Sequence, residues 1–275
     1  MKGLLRGIGY FLLYVIFTIA IQVVLSIVIV QIAAGMGIAS QTQIEDFANK
    51  NMLGMTIVSG LLTVLFLYLL FKIPKKDIRK EWKLNSFAFR DLMKACLLSF
   101  SLSSVVSLLT LNVDIENSRL ITDSAQYYSS LVPYMGTIFI VLNLLIIAPA
   151  AEELALRGIV YTRIEKELKP IVAIIVSAVL FGLMHFMAGG IILVAGAAIM
   201  GLVFGLLMHE YRSLWLCIIA HICANLPDFI YSKEQFASGG LKIGLACVFS
   251  VIFLAVLIWI FSEKRQRTMG KNTMI

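Results

Sequence analysis

The stretch PYMGTIFIVLNLLIIAPAAEELALRGIVYT, residues 133–162, decides how this chain folds. As a helix it is long and apolar enough to cross a hydrocarbon layer of ~30 Å, which takes about 20 residues. It nevertheless carries Glu152, Glu153 and Arg157 inside the apolar run. The rest of the chain settles which solvent this helix meets. Of 275 residues, 60 % are hydrophobic and 14 % are charged, with a mean hydropathy of +0.94. Ordinary soluble domains carry roughly 25 % charged residues. A water-soluble protein of this length could not hide so much apolar side chain, and a disordered chain would not have it. The fold class is therefore all-α: a polytopic integral membrane bundle.

Working outward from 133–162, seven further apolar runs appear, near 9–33, 55–73, 93–113, 170–187, 190–209, 213–231 and 241–262. About eight transmembrane helices result. The first run follows Lys2 and Arg6 as a signal peptide would. It exceeds the 7–15 residues or so of a signal's apolar region, and reads as a retained helix. With the N-terminus placed inside, the inside segments hold 19 of the 23 Lys and Arg residues. Only Lys50, Arg119, Lys233 and Lys242 fall outside. This is the asymmetry of cytoplasmic loops, and it puts both termini in the cytoplasm. It also accounts for the net charge of +7 without nucleic acid as a partner. The lipid bilayer is the partner instead.

Segment 75–94, KKDIRKEWKLNSFAFRDLMK, interleaves Trp82, Phe87 and Phe89 with basic residues beside a span. It reads either as an elbow in the headgroup layer or as a basic loop that sets topology. The chain divides into N-terminal helices with this elbow (1–132), a core of four helices (133–231), and a last helix with a basic tail (232–275). The cysteines Cys96, Cys217, Cys223 and Cys247 form no CxxC pair and read as small apolar filler.

Ionisable groups inside spans are costly and point to function by default. Glu153 and Arg157 stand four apart on one helix face and can neutralise each other. Glu152 is turned about 100° away, so one acid is left without that partner. Pro149 lacks an N–H and is expected to kink the helix beside the acids. The run 170–187 carries Phe181 and His185 four apart, and 213–231 carries His221 and Asn225 four apart, followed by Pro227. If 133–162 and 170–187 form an antiparallel hairpin, Glu152 and His185 are symmetric about residue 168 and face each other at one depth. Ala197, Gly201 and Gly205 form a small-residue stripe suited to close helix packing. His209, beside Glu210, Tyr211 and Arg212, reads as an interfacial residue.

Glu152-Glu153-x-x-x-Arg157, Phe181-x-x-x-His185 and His221-x-x-x-Asn225, in that order on three helices, resemble the CAAX-processing and bacteriocin-processing (CPBP, or Abi) family of intramembrane proteases. The type II CAAX prenyl endopeptidase belongs to that family. The resemblance covers roughly residues 133–231. It implies an endopeptidase that cleaves a membrane-associated peptide or protein within or beside the bilayer. By motif position it implies that Glu152 activates water, that His185 helps position it, and that His221 and Asn225 stabilise the oxyanion. Glu153 and Arg157 would be a supporting pair. Amide hydrolysis needs such a base and such donors. The family is often called a metalloprotease. Glu152, His185 and His221 could supply a zinc site, but a metal-free glutamate-activated water would use the same residues. Short loops, a basic tail and Met- and Ile-rich spans suggest a bacterial cell membrane. Two other classes remain on the residues alone. One is a bacteriocin-immunity or binding protein that keeps the fold without cleaving. The other is a proton-coupled transporter, disfavoured because the polar residues occupy only the second half and show no inverted repeat.

Overall fold

The computed structural model describes residues 2–111, 116–231 and 239–272, without the side chains of 116–119, 187–189 and 264–272. Nine helices organise these residues: α1 (Lys2–Gly35), α2 (Gln41–Lys72), α3 (Phe89–Thr110), α4 (Glu116–Leu131), α5 (Met135–Glu165), α6 (Pro170–Met184), α7 (Gly190–Tyr211), α8 (Leu214–Asn225) and α9 (Gly239–Asn272). Six of them, α1, α2, α3, α5, α7 and α9, are long and apolar enough to cross a membrane. The two other predicted spans are shorter. α6 has 15 residues, about 22 Å of helix, and α8 with its extension to Ile230 is likewise a shorter apolar helix. Between the apolar runs 93–113 and 133–162 lies α4. Its Ser124 hydroxyl donates to the Lys50 carbonyl at 2.7 Å and accepts from the Leu53 amide at 3.1 Å.

α5 is the central element. Its residues from Glu153 to Ile164 are all buried, so it is covered on every face, by α1, α2, α6, α7 and α8. On the α1 side the fit depends on Gly3 and Gly7. A Cβ on Gly3 would meet the Arg163 carbonyl at 2.7 Å, and one on Gly7 would meet Ile164 at the same distance. Beyond Tyr14, α1 is largely exposed to the surroundings as far as Ala33. The small-residue stripe packs as the sequence implies. Gly201 and Gly205 lie against Ala178 and Ile174 of α6, and Gly182 lies against the Val194 carbonyl. α6 passes into α7 with no free loop between them. His185 caps α6, a helical turn follows, and Gly190 takes φ +63°, a value that favours glycine.

One end of the bundle gathers the charged turns. Glu165 is bonded by Lys83, Arg212 and the Tyr161 hydroxyl. Glu81 pairs with Arg163 at 2.6 Å and Lys166 at 3.3 Å. The amide of Gly3 and Arg6 both reach Glu167. Glu263 of α9 holds the buried Lys94 at 2.7 Å. The N-terminus, segment 75–94, the α5–α6 turn and Arg212 therefore share one end. Segment 75–94 is tied to protein here: Trp82 is buried edge-on against Phe71, and Leu214 donates its amide to the Lys83 carbonyl at 3.0 Å. Phe89 and the stretch from Lys75 to Lys80 remain outward, with only Ile78 of that stretch half-buried. Lys233 lies outside the described residues, and the side chains of Arg119 and the tail after Glu263 are not described.

Candidate active site

The α5 helix is not regular where it carries its polar residues. Leu142–Ile147 and Leu154–Tyr161 are wound in π register, on either side of the α-helical Ala148–Glu153. π turns place one extra residue in the helix and are frequent at functional sites. The first has a legible cause. In π register Ala148 donates to the Asn143 carbonyl. The next donor in that ladder would be residue 149, aimed at Leu144, but Pro149 has no N–H. The Leu144 carbonyl is instead satisfied by the Asn225 side chain, whose Nδ2 donates to it at 2.7 Å. The expected effect of Pro149 is thus expressed as a change of helical register with a side-chain substitute for the missing donor.

Glu153 and Arg157 pair as their spacing implies, at 2.9 Å between Oε1 and Nη1, and both are wholly buried. The guanidinium lies 4.7 Å from the Phe181 ring centre and 5.3 Å from that of Phe204. Its Nη2 donates to the Gly201 carbonyl at 2.9 Å. The same Glu153 oxygen also meets His221 Nδ1 at 3.0 Å. With a carboxylate as its neighbour, this nitrogen carries a proton, and the tautomer so set places the ring's lone pair on Nε2. Phe204 stacks on the His221 ring at 4.7 Å, and Phe181 meets it edge-on at 5.5 Å. The ring is thereby fixed in plane as well as in tautomer.

Glu152 points elsewhere. Among the described residues it makes no hydrogen bond, and His221 Nε2 stands 3.9 Å from its Oε2. Its side chain keeps 17 % of its exposure while Glu153 keeps none. Tyr14, the last buried residue of α1 on the α5 side, lies within electrostatic reach of it. His185 sits at the end of α6, half-buried, with Nδ1 2.8 Å from the Phe181 carbonyl. A carbonyl only accepts, so His185 is also protonated at Nδ1 and turns its Nε2 lone pair outward. Its ring contacts Phe181 at 4.9 Å. Phe181 is therefore the piece that joins the two imidazoles.

Glu152, Glu153, Arg157, Phe181 and His221 come together as a contact group. His185 joins through Phe181 and makes no hydrogen bond to either acid among the described residues. Asn225 faces Leu144. Among the described residues no three His, Cys, Asp or Glu side chains are grouped so that they could hold a metal ion. The trio Glu152, His185 and His221 does not fit zinc in this arrangement. His209 lies 3.7 Å from Glu165 and 3.8 Å from Glu210 at the charged end, apart from the site. Cys217 is buried and donates to the Phe204 carbonyl at 3.7 Å. Sequence reasoning missed Phe204, Tyr14 and the Gly201 carbonyl. Phe204 lies beside the small-residue stripe, where an aromatic reads as core. Tyr14 lies in a stretch without a motif, and a backbone acceptor has no residue signature.

An all-α membrane bundle that buries an acid–arginine pair, and sets a second acid beside an imidazole, has the ionisable groups of a functional site within the membrane. Residues 134–227, about a third of the chain, match the family described as Type II CAAX prenyl endopeptidase Rce1-like. That match supports a CAAX-type membrane protease. The matched segment contains every residue of the site except Tyr14. No curated protein and no solved structure matches the chain.

Proposed function

We propose that the chain hydrolyses a peptide bond of a membrane-associated peptide or protein with a water activated by Glu152. The observation that carries this reading is the division between adjacent acids. Glu153 is held by Arg157 and His221, whereas Glu152 accepts no hydrogen bond among the described residues and stands 3.9 Å from His221 Nε2. A water within hydrogen-bond distance of both atoms can give one proton to Glu152 and direct the other at the Nε2 lone pair. His185, with the same tautomer, offers a second Nε2 acceptor from the α6 side. The oxygen attacks the scissile carbonyl, and the proton taken by Glu152 passes to the departing amine. Since both neutral imidazoles spend their N–H inside the protein, the remaining amide N–H of Asn225 is the donor assigned to the oxyanion. Arg157 pairs with Glu153, and Glu153 keeps His221 in the required tautomer.

The end that gathers the N-terminus, segment 75–94, the α5–α6 turn and Arg212 is assigned to the cytoplasm of a bacterial cell, because it carries most of the Lys and Arg. Reporter fusions at residues 83 and 167 should then read inside, and one at residue 40 outside.

The function is tested by purifying the chain in detergent and assaying cleavage of membrane-tethered peptides, with and without a metal chelator. Cleavage that survives the chelator is the expected result. No cleavage of any such peptide would favour an immunity or binding role.

A further inference from the structure

We propose that Asn225 is a positioning residue for α5: its amide takes the place of the backbone N–H that Pro149 lacks, and so locks the acid-bearing helix to α8. The proposal rests on the catalytic reading only in taking Glu152 as the base; the lock itself is a matter of hydrogen bonds.

The geometry points to this in three steps. First, α5 runs in π register over Leu142–Ile147, with Ala148 donating to Asn143. Continuing that register, the donor for the Leu144 carbonyl is residue 149, and proline cannot serve. Second, a backbone carbonyl without a partner inside a membrane bundle is costly. Third, Asn225 Nδ2 reaches this carbonyl at 2.7 Å from another helix, 81 residues along the chain. Asn225 is the last residue of α8, where the helix gives way to Leu226 and Pro227. Its side chain is thus free of the regular helix packing and can turn toward α5.

The consequence is a fixed distance between two parts of the site. His221 lies one turn before Asn225 on α8, and Glu152 three residues after Pro149 on α5. The Asn225–Leu144 bond joins the same two helices as the His221–Glu153 bond, one turn further along α8. α8 therefore grips α5 at two points, before and after the start of the α-helical segment that carries Glu152 and Glu153. The spacing His221-x-x-x-Asn225 then has a mechanical meaning. One residue holds the acid pair and the other holds the register of the helix that presents it. The second N–H of the Asn225 amide is left for substrate.

A double-substitution cycle tests the lock. In Pro149→Ala the backbone can satisfy Leu144 in either register: the amide regained at position 149 would donate to it in π geometry, and Ala148 in α geometry. Asn225→Ala is expected to lower the thermal unfolding midpoint of the detergent-solubilised chain by roughly 3–8 °C. In the Pro149→Ala background the same substitution should lower it by less than half as much. Equal shifts in both backgrounds would overturn the proposal. If Asn225→Ala does not yield folded protein, recovery of folded yield by adding Pro149→Ala supports the lock. If both fail, Asn225→Ser, too short to reach Leu144, is put through the same cycle with the same criterion. Unfolding is read without substrate, so this result stands whether or not the chain cleaves peptides. For turnover, the lock predicts that the loss in kcat from Asn225→Ala is at least tenfold smaller beside Pro149→Ala. A loss of kcat that is identical in the two backgrounds, with KM unchanged, would mean that Asn225 acts on substrate alone.

Discussion

Replacing Arg157 by alanine strips the one full positive charge from the buried acid Glu153. Arg157 is wholly buried, gives one bond each to Glu153 and the Gly201 carbonyl, and lies over two aromatic rings. Breaking a buried pair by deleting one partner typically costs ~3–5 kcal/mol. An unsatisfied Gly201 carbonyl adds about 1 kcal/mol or more. The destabilisation by Arg157→Ala should therefore be ~4–6 kcal/mol. The measurement is denaturant unfolding in detergent micelles, followed by tryptophan fluorescence. A loss below about 1 kcal/mol would refute the burial and pairing argument. Replacing both members, Glu153→Leu with Arg157→Leu, removes both charges and should restore much of the stability. It should leave the protein inactive, because His221 Nδ1 loses its partner.

Three further outcomes follow from the packing and the charged end. Gly182→Val forces a side chain toward the Val194 carbonyl, which a Cβ alone would meet at 2.7 Å; the α6–α7 hairpin should lose about 1–3 kcal/mol, read as a lower thermal midpoint, whereas Gly9→Val, with open space around it, should change little. Burial raises the Glu81 carboxyl, but Arg163 and Lys166 outweigh it and hold the group below its ordinary value. The folded pKa being the lower one, the stabilisation is present above the ordinary carboxylate value of ~4.3 and lost as pH falls through the folded value. Protection of the 75–94 backbone in hydrogen exchange should accordingly drop below about pH 4, and Glu81→Gln should abolish that pH dependence.

The apolar runs made the membrane bundle legible, because a span of helix in lipid leaves little freedom in composition. The i,i+4 spacing made the Glu153–Arg157 pair legible for the same reason: one helix face admits few partners. What the sequence concealed was cross-helix geometry. Two acids stood equally near His221 in the motif, and only the packing of α8 on α5 selects Glu153 for Nδ1. The partner of Asn225 is a carbonyl, which every residue possesses, so only the break in hydrogen bonding at Pro149 singles it out. Segment 114–131 has few apolar residues, so its sequence does not announce a packed helix. Its α4 helix is held by Ser124 and Tyr128 against α2. Spans 170–187 and 213–231 are apolar enough to read as crossings, and they are present as the shorter apolar helices α6 and α8.

The central claim is that Glu152, and not its neighbour, is the base. The direct measurement is single-turnover cleavage of a membrane-tethered peptide by wild type and by Glu152→Gln, at equal amounts of folded protein. Glutamine keeps the shape and an acceptor oxygen but cannot take the proton from water. The account predicts a loss of roughly 10²–10⁴ in rate with the thermal midpoint unchanged within a degree or two. Cleavage by Glu152→Gln at the wild-type rate would contradict it.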